Sequence, residues 1–210
     1  MATESDLPPL DRPPLDRLDE PSIDLLFRNA RSQNKWLADP VPDDTLRTLF
    51  DIVKFGPTSA NSSPARFLFL RTPEAKERLR PALSSGNEVK TMTAPVVVII
   101  AHDPKFYDHL PRLFPHNLDA KSWFTSNPDL TETTMFRNAT LQGAYLMMAA
   151  RSLGLDCGPM SGFDNAKVDE IFLADRGWKS NFLCGIGKGD PTGIFPRSPR
   201  FDFYDACMML

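Results

Sequence analysis

The sequence is poor in cysteine, and the cysteines present form no recognisable site. Cys157, Cys184 and Cys207 are the three found in 210 residues, and they lie far apart with no C-x-x-C pair. An odd number at such spacing excludes a disulfide framework and a zinc knuckle. We expect three buried thiols in a reducing compartment.

The sequence also lacks long apolar runs and an excess of charge of one sign. No run approaches the roughly 20 apolar residues that span a bilayer. The first residues carry prolines and acids where a signal peptide has a basic start and an apolar centre. The net charge of -3 is spread along the chain without a basic face. These absences predict a cytoplasmic protein that binds neither nucleic acid nor membranes.

Familiar nucleotide and nucleophile motifs are absent as well. The glycines of residues 185–189 are spaced G-x-G-x-G and are followed by Asp190-Pro191 instead of a helix, which argues against a dinucleotide fingerprint. The sequence contains no P-loop motif. In residues 158–162 the serine stands one place late for the G-x-S-x-G elbow of hydrolases. A serine hydrolase that uses Ser161 is therefore the weaker interpretation.

The histidines argue against a metal site. His102, His109 and His116 recur every seven residues, which on one helix would separate neighbours by roughly 10 Å. Prolines between them interrupt any such helix. We therefore expect no bound metal ion.

The most informative segment is the polar loop of residues 57–67, Pro-Thr-Ser-Ala-Asn-Ser-Ser-Pro-Ala-Arg-Phe. Its two prolines restrict the backbone, so the Ser and Asn side chains between them lose little entropy when they engage a ligand. Such a loop suits an oxygen-rich, phosphate-bearing cofactor. An ordinary turn is the alternative, because Ser, Asn and Pro also favour turns for local reasons.

Apolar periodicity predicts helices and strands on both sides of this loop. Ser22 is expected to cap a first helix, and Asp43 or Asp44 a second. Further elements are predicted as strands at 67–70, 94–101, 155–157 and 182–187 and as helices at 75–83, 131–153 and 164–172. Thr72-Pro73-Glu74 is expected to start the helix at 75–83, and Asp164 to cap the helix that runs to Phe172. The β-branched run at 94–101 indicates a strand buried on both faces of a layered sheet. The helix at 131–153 is apolar on nearly every face and should be central and largely buried.

Three regions fall outside this pattern. The Pro-rich residues 1–20 predict a mobile tail, which leaves residues 21–210 as a single domain. Residues 103–130 are rich in Pro, His and aromatic residues without a sustained period, as expected of a lid or the wall of a binding site. Residues 191–210 form a polar and aromatic tail of the kind that reaches a partner subunit.

Two further segments carry groups that suit a cofactor. Around Ser161 and Gly162, main-chain N–H groups enter a helix N-terminus, where the dipole favours electron-rich acceptors, and the glycine lets a flat ring approach closely. A tight turn is the alternative. Two basic patches at opposite ends of the chain, Arg31-Ser32 and Arg197 with Arg200, either hold one phosphate together or form ordinary solvated surface.

Taken in order, these segments resemble the FMN-dependent nitroreductase family. Arg31-Ser32 matches the end of its R-R-S-x-R-x-F motif, residues 57–64 look like its P-S-S-x-N-x-Q-P loop, and Gln142 falls in the helix where the family has Q-N-L. Residues 159–164 are similar to the turn beside the flavin, and Arg197 with Arg200 to the basic C-terminal patch. The wording of four segments further resembles the malonic semialdehyde reductase subgroup, at residues 56–61, 78–87, 113–116 and 122–126.

The resemblance implies an α+β, nitroreductase-like layered fold, with a central mixed sheet flanked by helices and a C-terminal tail that crosses to the partner subunit. It implies a homodimer that binds FMN at the subunit interface and uses NAD(P)H as co-substrate. Ala30 and Asn34 stand where the family has two further basic residues, so the phosphate charge would fall on the remaining arginines. The residues implied in FMN binding are Arg31, Ser32, Pro57, Ser59, Asn61, Met160, Ser161, Gly162, Arg197 and Arg200.

The resemblance leads to a functional hypothesis. We expect a ping-pong hydride transfer from NAD(P)H by way of FMN that reduces malonic semialdehyde to 3-hydroxypropionate. The alternatives are a broad-specificity nitro or quinone reductase, the serine hydrolase named above, and a non-enzymatic flavin carrier. No catalytic side chain is predicted, because the flavin carries the chemistry. The candidates for a proton donor or for a cation that faces an acidic substrate are His109, His116, Arg112 and Lys121.

Overall fold

The structure, a computed structural model, describes residues 16–210. The strands in this range are Ala65–Leu70 (β1), Val96–His102 (β2), Asp156–Met160 (β3) and Lys179–Gly187 (β4). The α-helices are Glu20–Ile23 (α1), Asp43–Val53 (α2), Pro73–Leu79 (α3), Ser85–Thr93 (α4), Leu110–Leu113 (α5), Ala120–Thr125 (α6), Pro128–Ser152 (α7), Asn165–Val168 (α8) and Phe203–Ala206 (α9). The predicted tail of residues 1–20 falls mostly outside the described residues, so it and the single-domain assignment to 21–210 stay predictions.

The four strands form one sheet in the order β1-β2-β4-β3, and each of these pairings is antiparallel. A parallel bridge between Ser32 and Cys157 adds a short extended segment beyond β3. The predicted α+β fold with a central sheet and flanking helices is confirmed. The mixed character of the sheet is confined to that bridge.

β2 is buried along its whole length, as its β-branched sequence predicts. Its side chains alternate between the two faces of the sheet because a strand has a period of two residues. Val96, Val98 and Ile100 pack in a core with α2 and α7. The next residues in each case, Val97, Ile99 and Ala101, pack in a second core on the opposite face.

α7 is a long helix that begins three residues earlier than predicted, at Pro128, because the Asn127 side chain caps it. Its inner face packs against the sheet in the first core. The prediction that this helix is largely buried is wrong for its outer face. Phe136 and Leu141 on that face are 55% and 41% exposed.

The predicted starts of α3 and α8 are confirmed, whereas the first two helices begin differently. Asp19 caps α1 by accepting a hydrogen bond from the Ser22 N–H at 2.9 Å, so Ser22 is not the cap. Asp43 and Asp44 do not cap α2 but lie in its first turn, after Pro42. Acids in that position are stabilised by the helix dipole.

Two regions contain helices that the apolar pattern does not predict. α4 is missed because Thr91 is its one buried residue, so it has no apolar stripe. Residues 103–127, expected to be irregular, hold a 3₁₀ helix over Phe106–His109 followed by α5 and α6. These short helices enclose a small third core that contains Phe106 and Phe124. The two rings pack edge to face, with their centroids 4.9 Å apart.

The cysteines agree with the sequence analysis except at the C-terminus. Cys157 and Cys184 are buried, but Cys207 is exposed on the surface. The adjacent Cys157 thiol and burial together raise the pKa of Cys184, which keeps it a protonated, unreactive thiol. Among the helices that the structure describes, none is long and apolar enough to cross a membrane.

Candidate functional site

A cleft of about 540 Å³ collects arginines from distant parts of the sequence. Arg31 and Ser32 come from the segment before α2, Arg151 from the last turn of α7, and Arg197 and Arg200 from the segment before α9. The two basic patches at opposite ends of the sequence therefore meet in one place. We call this the arginine cleft.

In the described part of the chain, no acid pairs with any of these four guanidinium groups. Arg31 and Arg197 donate to main-chain carbonyls instead, including that of Ala30. Desolvation lowers the pKa of Arg197, and the nearby charges of Arg31, Arg200 and Arg151 lower it further. Four uncompensated positive charges make the cleft a site for a multiply charged anion such as phosphate.

Arg31 and Ser32 are placed by the way the following residues pack on β3. Ser32 bridges Cys157, and the Gln33 N–H donates to the Cys157 carbonyl at 2.9 Å. This approach requires glycine at two positions. A Cβ on Gly158 would lie 2.5 Å from the Gln33 carbonyl oxygen, and one on Gly189 would lie 1.7 Å from its Nε2. The glycine at the end of the G-x-G-x-G stretch therefore serves close packing between chain segments.

The loop of residues 57–63 has an uncommon backbone. Ala60, Asn61 and Ser63 have positive φ angles of 50°, 46° and 41°. This left-handed region disfavours non-glycine residues by roughly 1 to 2 kcal/mol each. Such strain persists where surrounding structure enforces it, and it is concentrated at functional sites. The loop is thus held in one shape against the preference of its own residues.

One face of α7 holds this loop in place. Positions 138, 142 and 145 share that face because an α-helix repeats every 3.6 residues. Two of these side chains bond to the loop backbone: Asn138 Oδ1 accepts from the Ser59 N–H at 2.8 Å, and the Tyr145 hydroxyl donates to the Pro57 carbonyl at 3.0 Å. Gln142 Oε1 accepts from the N–H of Ala65, the first residue of β1, at 2.9 Å and so fixes the end of the loop. Gln142, which the sequence analysis noted for its resemblance, is buried and acts as an anchor.

The turn after β3 offers main-chain donors. Across residues 16–210, no acceptor is present for the N–H groups of Ser161 and Gly162. The Gly162 carbonyl accepts hydrogen bonds from Ser84 Oγ at 2.7 Å and from Asn87 Nδ2 at 2.9 Å, which fixes the turn against the start of α4. A Cβ on Gly162 would lie 2.6 Å from Asn87 Nδ2. The glycine therefore leaves room for the two side chains that bond to its carbonyl, and the approach of a flat ring at this position stays a prediction.

Met160 points into the protein interior. Its side chain is buried, and its Sδ accepts a hydrogen bond from Thr91 Oγ1 at 3.2 Å. Met160, a predicted site residue, can therefore contact a ligand at the turn only through its main chain.

Within one chain, the predicted site residues lie at two edges of the sheet. The arginine cleft adjoins the start of β3 and the turn at 161–162 follows its end, about 10 Å away at the spacing of strand residues. The loop of residues 57–63 leads into β1 at the opposite edge, with β2 and β4 between. Neighbouring strands are about 4.8 Å apart, so about 14 Å of sheet separates the two edges. Pro57, Ser59 and Asn61 are therefore not brought to the cleft of their own chain.

A larger cavity, of about 950 Å³, opens beside the loop. We call this the loop cavity. Asn61 and Ser63 line it, and Asn61 Nδ2 also donates to the Leu113 carbonyl at 2.7 Å, which ties the loop to α5. Other lining residues are the aromatic Phe50, Phe55, Phe67 and Trp178 and the charged Lys54, Arg66, Asp103, Arg112 and Arg176.

Of the four residues in 103–130 predicted as a proton donor or as a cation for the substrate, two line the loop cavity and two do not. His109 and Arg112 line it. Lys121 pairs instead with Asp108 at 2.6 Å. The His116 ring packs against the Phe114 ring at a tilt, with the ring centroids 3.8 Å apart, and does not line the cavity. Only the first two remain candidates for contact with a substrate there.

The histidines do not assemble into a metal site. In the part of the chain that the structure describes, no group of three His, Cys, Asp or Glu side chains has a metal-binding arrangement. His102 ends β2 and is buried with no partner for its Nδ1. Desolvation lowers the pKa of His102, so it stays neutral.

Comparison with known proteins identifies the family. The sequence profile of the nitroreductase family matches residues 27–188. The chain belongs to the nitroreductase family. Two relatives, from Burkholderia lata and Cupriavidus pinatubonensis, are 62% and 58% identical over 90% and 89% of this chain and 96% of their own lengths. Both are named as candidate NADH dehydrogenases or NAD(P)H nitroreductases.

Solved structures share the fold of this nitroreductase-family chain. A candidate nitroreductase from Exiguobacterium sibiricum, solved in complex with FMN, superposes with a TM-score of 0.81 at 21% identity, covering 93% of this chain and 99% of the other. A candidate nitroreductase from Bacillus subtilis gives 0.80 at 21% identity, covering 88% and 97%. The family comprises NAD(P)H-dependent flavin oxidoreductases, and this protein is an enzyme of that class with FMN as cofactor and NAD(P)H as co-substrate.

The donor groups of this nitroreductase-family protein fit FMN. The arginine cleft supplies positive charge without acids, as a terminal phosphate requires. The unpaired N–H groups of Ser161 and Gly162, at the other end of β3, can donate to acceptors on a flavin ring. Charge and donors are therefore arranged along one strand, as the two ends of an elongated phosphate-bearing molecule require.

Arg151 is the cleft residue that the sequence analysis missed. It lies in the last turn of α7, where basic residues are common because they complement the helix dipole. Its Nη1 donates to the Leu26 carbonyl at 2.8 Å, which directs the side chain toward the cleft. No local pattern distinguishes it from an ordinary helix-terminal arginine.

Proposed function

We propose that this protein is a homodimeric FMN-dependent reductase that converts malonic semialdehyde to 3-hydroxypropionate with NAD(P)H in the cytoplasm. The arginine cleft carries the cofactor part of the proposal, since its four guanidinium groups have no acidic partner within residues 16–210 and suit an anion such as the FMN phosphate. The substrate part rests on the four segments whose wording resembles the malonic semialdehyde reductases.

In this proposal Arg31, Arg151, Arg197 and Arg200 bind the phosphate, and Ser32 lies beside them to bind the sugar-alcohol chain. Bound FMN would supply the hydride-transfer chemistry between NAD(P)H and the second substrate. The protein needs to hold this group and orient it, which explains why the site has no nucleophilic triad.

The main-chain N–H groups of Ser161 and Gly162 are assigned to the flavin ring. Their turn is fixed by hydrogen bonds from Ser84 and Asn87, so the donors are oriented before any ligand arrives. Preorganised donors of this kind favour the reduced ring, because their hydrogen bonds strengthen as negative charge develops. Met160 contributes through its main chain.

The homodimer follows from the separation of the site residues. A two-fold pair can place the loop of residues 57–63 of each subunit against the β3 edge of the other, where Pro57, Ser59 and Asn61 complete the flavin site. Exposed apolar side chains support such an interface, since large uncovered patches are typical of contact surfaces. They are Phe136, Leu141, Phe201, Phe203 and Tyr204, and the last three lie in the C-terminal segment expected to cross to the partner.

A broad-specificity NAD(P)H nitro or quinone reductase is the second candidate. The size of the loop cavity favours it, because about 950 Å³ is ample for an aromatic acceptor. The names given to the relatives from Burkholderia lata and Cupriavidus pinatubonensis point the same way.

A visible spectrum of the purified protein is the first test. The proposal predicts a yellow protein with flavin absorbance that bleaches with NAD(P)H under anaerobic conditions and regains its colour on addition of malonic semialdehyde. Light scattering coupled to size exclusion should give twice the 23.5 kDa chain mass. Recovery of colour with quinones but not with malonic semialdehyde favours the second candidate.

Two other outcomes would contradict an FMN reductase altogether. A colourless protein that an activated phosphonate labels at Ser161 would indicate a serine hydrolase. A yellow protein that oxidises no NAD(P)H with any acceptor would indicate a flavin carrier. Against the hydrolase, no histidine hydrogen-bonds to Ser161 within the described residues, whereas a serine nucleophile requires a base at that distance.

A further inference from the structure

The wall of the loop cavity contains four cationic side chains, and two of them are neutralised. Lys54 pairs with Asp51 at 2.6 Å. Arg66 pairs with Asp103 at 2.7 Å, and both partners are largely buried. The charges of these two cations are therefore satisfied within the protein.

The other two cations, Arg112 and Arg176, form no ion pair with any acid in residues 16–210. Arg176 lies over the Trp178 ring, 5.1 Å from its centroid, and Arg66 lies 5.5 Å from the same ring. A cation on an aromatic face is held in place without losing its charge. Arg112 is on α5, next to the turn of chain that Asn61 binds through the Leu113 carbonyl.

Much of the remaining wall is aromatic, and the cavity is larger than a three-carbon acid requires. Phe50 and Phe67 contact each other edge to face at 6.4 Å, and Phe55 is 82% exposed beside them. The volume of about 950 Å³ lies at the upper end of the roughly 300 to 1,000 Å³ found for pockets that hold drug-sized ligands. The cavity thus combines an apolar wall with uncompensated positive charge.

We propose that the loop cavity is the acceptor pocket of this enzyme and that Arg112 and Arg176 bind a carboxylate of the acceptor, whose body can be an aromatic ring or an alkyl chain. This inference rests on the proposed function, because Asn61 and Ser63 of the cavity wall belong to the loop assigned to the flavin of the other subunit. Reduction of a carbonyl acceptor adds one hydride, supplied by NAD(P)H, to the reacting carbon and one proton from solvent to its oxygen. A nitro acceptor likewise consumes one hydride from NAD(P)H and one proton from solvent, but one N–O bond breaks, and the products are a nitroso group and water. The carboxylate stays unchanged and serves for recognition.

The phosphates of NAD(P)H are a second source of negative charge for the same arginines. The cavity wall favours the acceptor, since the other two cations of the wall, Lys54 and Arg66, are already paired with acids and leave no free charge for a pyrophosphate among the described residues. The test therefore follows NADPH and NADH kinetics beside those of the acceptor.

The test uses acceptors that differ in charge but share the reacting group. The proposal predicts that the FMN-loaded enzyme has a higher kcat/KM for 4-nitrobenzoate than for 4-nitrobenzamide, and that R112Q lowers this ratio roughly tenfold or more, the effect of one lost charged hydrogen bond. R176Q should do the same, and R112K should restore part of the ratio. K121Q is the matched control: it removes a nearby cation that pairs with Asp108 and does not line the cavity, so the ratio should stay at the wild-type value.

A binding measurement provides a readout that does not depend on turnover. Isothermal titration should show benzoate binding to the oxidised protein more tightly than benzamide, with the difference lost in R112Q. Equal binding of the two probes to the wild type, or an equal ratio in wild type and R112Q, overturns the proposal. So does a rise in KM confined to NADPH or NADH, which would assign the arginines to the co-substrate.

The two proposals fail in distinguishable ways. A protein without flavin, or one that reduces neutral acceptors but not malonic semialdehyde, contradicts the proposed function. The benzoate and benzamide titrations still decide whether the loop cavity recognises a carboxylate. Conversely, normal reduction of malonic semialdehyde by the R112Q and R176Q variants would retain the proposed function and reject this pocket.

Discussion

Arg31 and Arg197 donate hydrogen bonds to the same atom. The carbonyl oxygen of Ala30 accepts from Arg31 Nη1 at 3.0 Å and from Arg197 Nη2 at 3.2 Å, and the Arg28 carbonyl also accepts from both side chains. One stretch of main chain thus holds together two cations from opposite ends of the sequence. Because like charges at short range repel, an anion bound between them stabilises the arrangement.

The first prediction concerns FMN retention. The double variant R197Q/R200Q should bind FMN more weakly, by about 1.5 to 3 kcal/mol for each charged hydrogen bond lost. The measurement is the flavin-to-protein ratio after exhaustive dialysis, together with the shift in melting temperature on adding FMN. R47Q, which removes an exposed arginine on α2 far from the cleft, is the control. Wild-type flavin content in the double variant would contradict the assignment of the arginine cleft.

The second prediction concerns strain in the loop. Ser63→Gly should stabilise the protein by about 0.5 to 1 kcal/mol, because glycine adopts a φ of 41° without a steric penalty. Ser59→Gly, four residues earlier at a position without positive φ, should destabilise it by a similar amount through the greater freedom of the unfolded chain. Urea unfolding of both variants tests this. The same sign for the two changes would show that the loop is not strained at Ser63.

The third prediction concerns the anchoring of the loop by Tyr145. A Cβ on Gly56 would lie 2.1 Å from an atom of the Tyr145 ring, so Gly56→Ala should destabilise the fold by more than about 1 kcal/mol. In a Tyr145→Ala background the same change should cost much less, which a double-mutant cycle of unfolding free energies measures. Gly86→Ala in α4 is the matched control, since nothing lies within 4 Å of its added Cβ and alanine favours helix. If Gly56→Ala lowered the free energy of unfolding equally in both backgrounds, a clash with the Tyr145 ring would not be the cause.

The fourth prediction concerns pH. Desolvation lowers the pKa of His102 in the folded protein below its ordinary value of 6.5, although Asp169, Asp103 and Glu132 partly oppose this. The unfolded chain then takes up a proton more readily than the folded one, so the free energy of unfolding falls as the pH drops below about 6.5. His102→Leu should flatten this dependence. Urea unfolding of both proteins at pH 7.5 and pH 5 tests it, and identical slopes with pH would contradict it.

The sequence predicts those elements whose residues satisfy a strong local rule. The sequence correctly predicts β2 from its β-branched run and the start of α3 from the capping residue Thr72 followed by Pro73. Both signals act over a few neighbouring residues. α4 is missed because its one buried side chain leaves no apolar stripe. The short helices of residues 106–125 are missed because one or two turns are too few to show a period.

The candidate site is recovered in part for a similar reason. Arg31 and Arg197 are found from their clusters of basic residues, and the loop of residues 57–63 from its composition. Arg151 and the Asn87 contact to Gly162 come from elements that meet the site only after the sheet has formed. The opposite positions of the loop and the cleft follow from strand order, which no local pattern contains.

The last strand of the sheet ends at Gly187, before Arg197 and Arg200 in the chain. During synthesis, the polypeptide therefore contains all four strands of this sheet while two of the four arginines that line the arginine cleft, Arg197 and Arg200, are still to be made. A nascent chain arrested after Gly187 would contain the four strands but only Arg31 and Arg151 of the cleft, and we expect it to hold an anion less tightly than the full-length chain does.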